Sequence, residues 1–124
     1  MKNTRVIYLE DDLAIFGTLE TSLQKFEFQL IHMQRNEESL SKIETLNPDI
    51  ILIEHRNSDR RHYDLLFMMD ELETFSRIPK IVISARNQNY ELLWTTQNRL
   101  WDYITYPFQT EELVERIDYW LAQK

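Results

Sequence analysis

Four consecutive aliphatic residues, Ile50 to Ile53, stand between Asp49 and Glu54 with no alternation, the pattern of a strand buried on both faces of a parallel sheet. Lys80 to Ala85 (KIVISA) repeats it, and Arg5 to Leu9 (RVIYL), Phe28 to Met33 (FQLIHM) and Asp102 to Tyr106 (DYITY) are short runs rich in β-branched and aromatic residues. Between these runs the period changes to that of a helix. Leu13, Phe16, Leu19 or Glu20, and Leu23 fall at helical spacing, with Asp12 placed to cap the first turn. Leu40, Ile43 and Leu46 follow Asn36, Glu37 and Glu38 and stop at Asn47-Pro48, with the acids well placed against the helix dipole. A third helix carries Leu65, Met69 and Leu72 on one face and ends near Arg77 and Pro79; a fourth covers Tyr90 to Asn98. The last follows Pro107, opens around Thr110, and sets Leu113, Val114, Ile117 and Leu121 on one face.

Strand and helix therefore alternate five times. The expected class is α/β, a doubly wound five-stranded parallel sheet flanked by five helices with right-handed crossovers. Sheets of this kind place their chemistry beyond the carboxyl ends of the strands. The residues there are Glu10 and Asp11 after the first strand, Glu54 at the end of the third, Ser84 at the end of the fourth and Tyr106 at the end of the fifth.

Composition narrows the picture. A length of 124 residues fits a single domain over 1–124, and 43% hydrophobic residues supply a core. The chain has no cysteine, which excludes a disulfide framework, a thiolate zinc site and a cysteine nucleophile. His32, His55 and His62 have no metal-ligand spacing. A net charge of −7 disfavours nucleic acid and anionic membrane as direct partners. The first residues, Met1 to Arg5, form no apolar signal region, and no run approaches the roughly 20 apolar residues of a bilayer span, so a cytoplasmic location is expected. Gly17 is the one glycine, which assigns the turns to Asn, Asp and Ser or to helix caps. Trp94, Trp101 and Trp120 read equally as core or as a partner surface.

The ordered motifs LEDD (Leu9 to Asp12), PDIILIE (Pro48 to Glu54), PKIVISA (Pro79 to Ala85) and DYITYPF (Asp102 to Phe108) resemble the receiver domain of bacterial two-component response regulators. The resemblance covers nearly the whole chain, and separations of 30 residues from Glu54 to Ser84 and 52 from Glu54 to Tyr106 match those of the family. It implies a flavodoxin-like, receiver-type (βα)5 fold. It also implies an acidic Mg2+-holding pair at Glu10 and Asp11, a phosphoacceptor position at Glu54, and a switch formed by Ser84 and Tyr103. Four positions depart from the family pattern. Glu54 replaces the accepting Asp, Tyr106 replaces the lysine, Asp59 stands where a Pro is usual, and Tyr63 where a Gly is usual.

Forming an acyl phosphate needs near-attack geometry, and misplacement by about 1 Å can cost on the order of 10²-fold. Glu54 is one methylene longer than Asp, and Tyr106 removes a cation, so the expected protein does not run the phosphorylation cycle. Glu10, Asp11 and Glu54 bring three carboxylates together, and two such charges about 4 Å apart repel by about 4 kcal/mol at an effective dielectric near 20. Weakly held Mg2+, Arg56 and Arg86 on nearby loops, or a proton retained on Glu54 are the three available compensations.

The expected function is therefore a degenerate receiver in phosphorelay signalling, not an enzyme. It would work by contact with a protein partner or a second copy through the face of the fourth helix, fifth strand and fifth helix. A receiver phosphorylated at Glu54 is the first alternative, and a Mg2+-dependent phosphohydrolase built on the acidic cluster is the second.

Overall fold

Five parallel strands form one sheet: β1 (Thr4–Leu9), β2 (Phe28–Met33), β3 (Ile50–His55), β4 (Lys80–Ser84) and β5 (Trp101–Thr105), in the order β2-β1-β3-β4-β5. The computed structural model describes residues 4–9, 20–26, 28–34, 37–55, 71–84, 101–105 and 108–123. Helices at Glu37–Leu46, Glu73–Ser76 and Thr110–Ala122, and a helical stretch at 20–24, accompany the sheet. This is the doubly wound α/β architecture that the alternation of periods predicts.

Burial explains why the central strands carry aliphatic runs. Val6 to Leu9 are fully enclosed, and so are Ile50, Ile51 and Leu52, with Ile53 almost so. Their side chains alternate between two cores, as a strand's period of two requires. Ile7, Leu9, Ile51, Ile53 and Val82 meet Leu40 and Ile43 of the Glu37–Leu46 helix together with Phe75 and Ile78. Val6, Tyr8, Ile50, Leu52, Ile81, Ile83 and Ile104 meet Leu23 and the Leu113, Val114 and Ile117 stripe of the C-terminal helix. With both faces covered, no strand position at the centre can be polar without a partner.

The element ends have local causes. Asn47 adopts φ 50°, the left-handed conformation that ends a helix, and donates its N–H to the Ile43 carbonyl at 3.2 Å. Asp49, expected as the first residue of the third strand, precedes it. Its carboxylate accepts the Arg5 backbone N–H at 2.9 Å while its own N–H donates to the Arg5 carbonyl, so it brackets the amino edge of β1. The Arg5 guanidinium donates to the Leu46 carbonyl nearby at 2.7 Å.

One expectation needs correction. Helical spacing puts Leu72 on the buried face of a continuous third helix, but in the structure it is extended (φ −82°, ψ 122°) and 38% exposed, standing as the N-cap of the Glu73–Ser76 turn. Its carbonyl accepts the N–H groups of Phe75 and Ser76, both at 3.0 Å. The fully buried residue is Phe75, whose ring offers more apolar surface than Leu72. Leu65 and Met69 of the same expected face lie outside the described residues, as do the expected fourth helix and Gly17.

Candidate functional site

The register of the sheet positions its carboxyl edge. Leu9 closes β1 opposite Ile53, so Glu54 is the next residue of β3 beyond the end of that pairing. Glu54 pairs with Ile83, His55 with Ser84, and Ser84 with Thr105. Backbone pairing thus brings Glu54 and Ser84, 30 residues apart in sequence, to adjoining strands within one register step of each other. Glu10, Asp11, Arg56, Arg86 and Tyr106 lie outside the described residues, as do Asp59, Tyr63 and Trp94.

Tyr103 lies one strand over from β4, opposite Val82. Its ring is half-buried, and its phenol oxygen accepts a hydrogen bond from Thr105 Oγ1 at 3.1 Å. Thr105 shares a face of β5 with Tyr103 because side chains two residues apart on a strand point the same way. Sequence reasoning singles out Tyr103 and passes over Thr105, whose hydroxyl is the feature that could have marked it.

A second cluster, which sequence reasoning missed, joins β5 to the C-terminal helix. Asp102 accepts the Trp120 indole N–H on Oδ2 at 2.7 Å, and on Oδ1 accepts both Arg116 Nη1 at 2.9 Å and the Tyr103 backbone N–H at 2.7 Å. Arg116 and Trp120 are one helical turn apart, so a single carboxylate can meet both; that spacing was the available signal. Trp120 is therefore anchored and partly buried against the core, while Tyr119 beside it is 57% exposed, edge-on to the indole at 5.2 Å. Asp102, Glu112, Glu115, Arg116 and Tyr119 line an open groove of about 360 Å³.

At the opposite, amino edge of the sheet, Lys80 is fully buried at the start of β4. Its ammonium donates to the carbonyls of Phe75 and Ile78, which gives two of its N–H groups acceptors and pins the turn before the strand. The run KIVISA reads as a buried strand but carries no hint that its first residue is enclosed as a cation.

Among solved structures, the receiver domain of the sensor histidine kinase PA1611 from Pseudomonas aeruginosa, solved with magnesium coordinated in its active-site cleft, superposes with a TM-score of 0.81 at 19% identity, covering 98% of this chain and 99% of that one. The chemotaxis response regulator CheY4 of Vibrio cholerae matches with a TM-score of 0.79 at 13% identity over 96% and 99% of the two chains. At these identities the likeness establishes the fold. Closer in sequence are two curated proteins. The transcriptional regulatory protein KdpE of Staphylococcus aureus is 31% identical over 92% of this chain and 48% of its own length. The transcriptional regulatory protein YvcP of Bacillus subtilis is 31% identical over 91% and 46%. This chain spans about half the length of these relatives. The response regulator receiver domain model matches residues 6–118, from the second residue of the first aliphatic run to the last turns of the C-terminal helix. Motif order, strand order and family match agree, and the chain belongs to the response regulator receiver domain family, the signalling module of two-component systems.

Proposed function

We propose that this receiver, a single domain over 1–124, works without a phosphorylation cycle, as a regulatory module whose output is contact with another protein. The observation that carries the reading is Glu54 at the carboxyl end of β3, paired with Ile83 and one step from Ser84, where the family places its accepting Asp. Glutamate is one methylene longer than aspartate, so its carboxylate oxygens would take up part of the space an incoming phosphoryl group needs. Tyr106, at the family's lysine position, supplies no cation to neutralise the product. These two changes act on the same step.

Glu10, Asp11 and Glu54 are the residues that would hold Mg2+. Carboxylate oxygens suit that ion, and the neighbouring positions of β1 and β3 support convergence at one edge. When bound, the ion would supply charge neutralisation. The longer Glu54 disturbs the ligand set, so binding is weak, and Arg56 and Arg86 stand in as charge compensation. Ser84 and Tyr103 act as the switch pair. Glu54, in this reading, is either a fixed imitation of a charged acceptor or a remnant.

The contact surface is the face of the fourth helix, β5 and the last helix, engaged by a protein partner or a second copy. Exposed Tyr119 stands on the last helix, and the carboxylate-lined groove beside Asp102 runs between β5 and that helix, which supports this reading. The reading involves no direct nucleic-acid or membrane contact and places the domain in the cytoplasm. Among the described residues no helix is long and apolar enough to cross a membrane.

The test is incubation with acetyl phosphate and Mg2+ followed by intact-mass analysis and peptide mapping. The expected result is an unmodified chain. A stoichiometric added phosphate on Glu54 overturns the reading in favour of a receiver with an unusual acceptor, and catalytic turnover of a generic phosphomonoester overturns it in favour of a phosphohydrolase.

A further inference from the structure

We propose that Thr105 is a positioning residue for Tyr103: its hydroxyl holds the phenol along β5, toward the carboxyl edge of the sheet. This inference rests on the reading of Tyr103 as the switch aromatic and names what keeps that ring in place.

The geometry is specific. Alternate residues of a strand lie about 6.6 Å apart on one face. For the Tyr103 phenol oxygen to come within 3.1 Å of Thr105 Oγ1, the ring must lie lengthwise over the strand and point toward its carboxyl end. A ring turned away from the strand would lose that contact. Rotation of the ring therefore breaks one hydrogen bond that is present in one rotamer and absent in the others, which is the differential contact a population shift requires.

Strand propensity does not account for the hydroxyl. Threonine and valine have the same branched shape and both suit a strand. What threonine adds is a donor, at a half-buried position where a polar atom needs a partner, and the partner is the tyrosine oxygen. The placement also has a consequence across the sheet. Thr105 is the residue of β5 paired with Ser84 of β4, so the group that holds the ring sits in register with the other half of the switch pair. Anything that shifts the end of β4 against β5 shifts the donor on which Tyr103 depends.

A net neutral hydrogen bond changes such a rotamer ratio by about 2- to 13-fold. The experiment is NMR on the free chain with labelled tyrosine, reading the Tyr103 rotamer ratio from three-bond couplings and its ring shifts, with no phosphodonor or partner present. Thr105→Val should lower the share of the parent rotamer by that factor and move the ring signals. Thr105→Ser, which restores the donor, should bring both back. An unchanged ratio in Thr105→Val, or a Thr105→Ser chain that resembles Thr105→Val, overturns the proposal. Tyr103→Phe removes the same bond from the other side and should show the same fall in its ring rotamer, which keeps the test decisive if Thr105→Val does not fold; a parent-like Phe ring overturns the proposal. Phosphate uptake on Glu54 would overturn the phosphorylation-independent reading while leaving the Tyr103 rotamer ratio of the free chain, and its response to these substitutions, unchanged.

Discussion

Trp120 donates its indole N–H to Asp102 across 2.7 Å, tying the C-terminal helix to β5 eighteen residues upstream. The same carboxylate takes the Arg116 guanidinium and the Tyr103 backbone N–H, so one side chain of β5 orients both the helix and the start of the strand that carries Tyr103. The Asp102 side chain is 21% exposed, which shields these bonds from competing water more than it shields Arg116, exposed to 40%.

Asp102→Ala should destabilise the domain by about 1.5–3 kcal/mol, the range for hydrogen bonds to a charged group, and should shift the Trp120 emission as the indole loses its acceptor. Arg116→Ala should cost less than about 1 kcal/mol, because a partly exposed ion pair contributes little. Urea unfolding of the two variants checks the order. Equal losses would mean that the ion pair, and not the indole bond, holds the helix.

Lys80→Met keeps the apolar stem and removes the ammonium from the carbonyls of Phe75 and Ile78. The Phe75 carbonyl keeps the Ile78 N–H at 3.1 Å, so the loss falls on its second bond and on the Ile78 carbonyl, and should lower stability by about 1–3 kcal/mol. Lys80 lies at the amino edge of β4, at the other end of the strand from Ser84, so the response to acetyl phosphate and Mg2+ should stay that of the parent. A Lys80→Met chain as stable as the parent in urea would contradict the role assigned to the ammonium.

Glu54→Asp combined with Tyr106→Lys returns both departures to the family pattern. The double variant should gain one acid- and base-labile phosphate from acetyl phosphate and Mg2+, while each single variant gains at least about 10-fold less, since misplacement of the acceptor and loss of the cation each impair the step. Intact-mass time courses distinguish these outcomes. A double variant that stays unmodified would place the block at other positions and contradict the part given to Glu54 and Tyr106.

The class of fold was legible because burial on both faces leaves a linear trace. Ile50 to Ile53 admit no polar residue, and the helical stripe of Leu113, Val114 and Ile117 points at the core they form. The carboxyl ends of the strands were legible for the same reason: aliphatic character stops at their last residues, which marked Glu54 and Ser84, and the sheet's register then set them on adjoining strands, with β3 running one residue further to His55. Periodicity failed at Leu72, because a spacing of three or four residues does not say where a helix breaks, and Phe75 competed successfully for the interior.

Contacts between distant positions belong to the tertiary structure alone. Asp102 acquires its meaning from Arg116 and Trp120, and those three residues meet only once the last helix is laid against β5. Lys80 reads only as the first residue of a buried strand until the fold encloses its ammonium against the carbonyls of Phe75 and Ile78. Even Tyr103 and Thr105, two residues apart, required the structure: the sequence places them on one face of a strand, whereas the side-chain rotamer that joins their oxygens is chosen by the packing around β5.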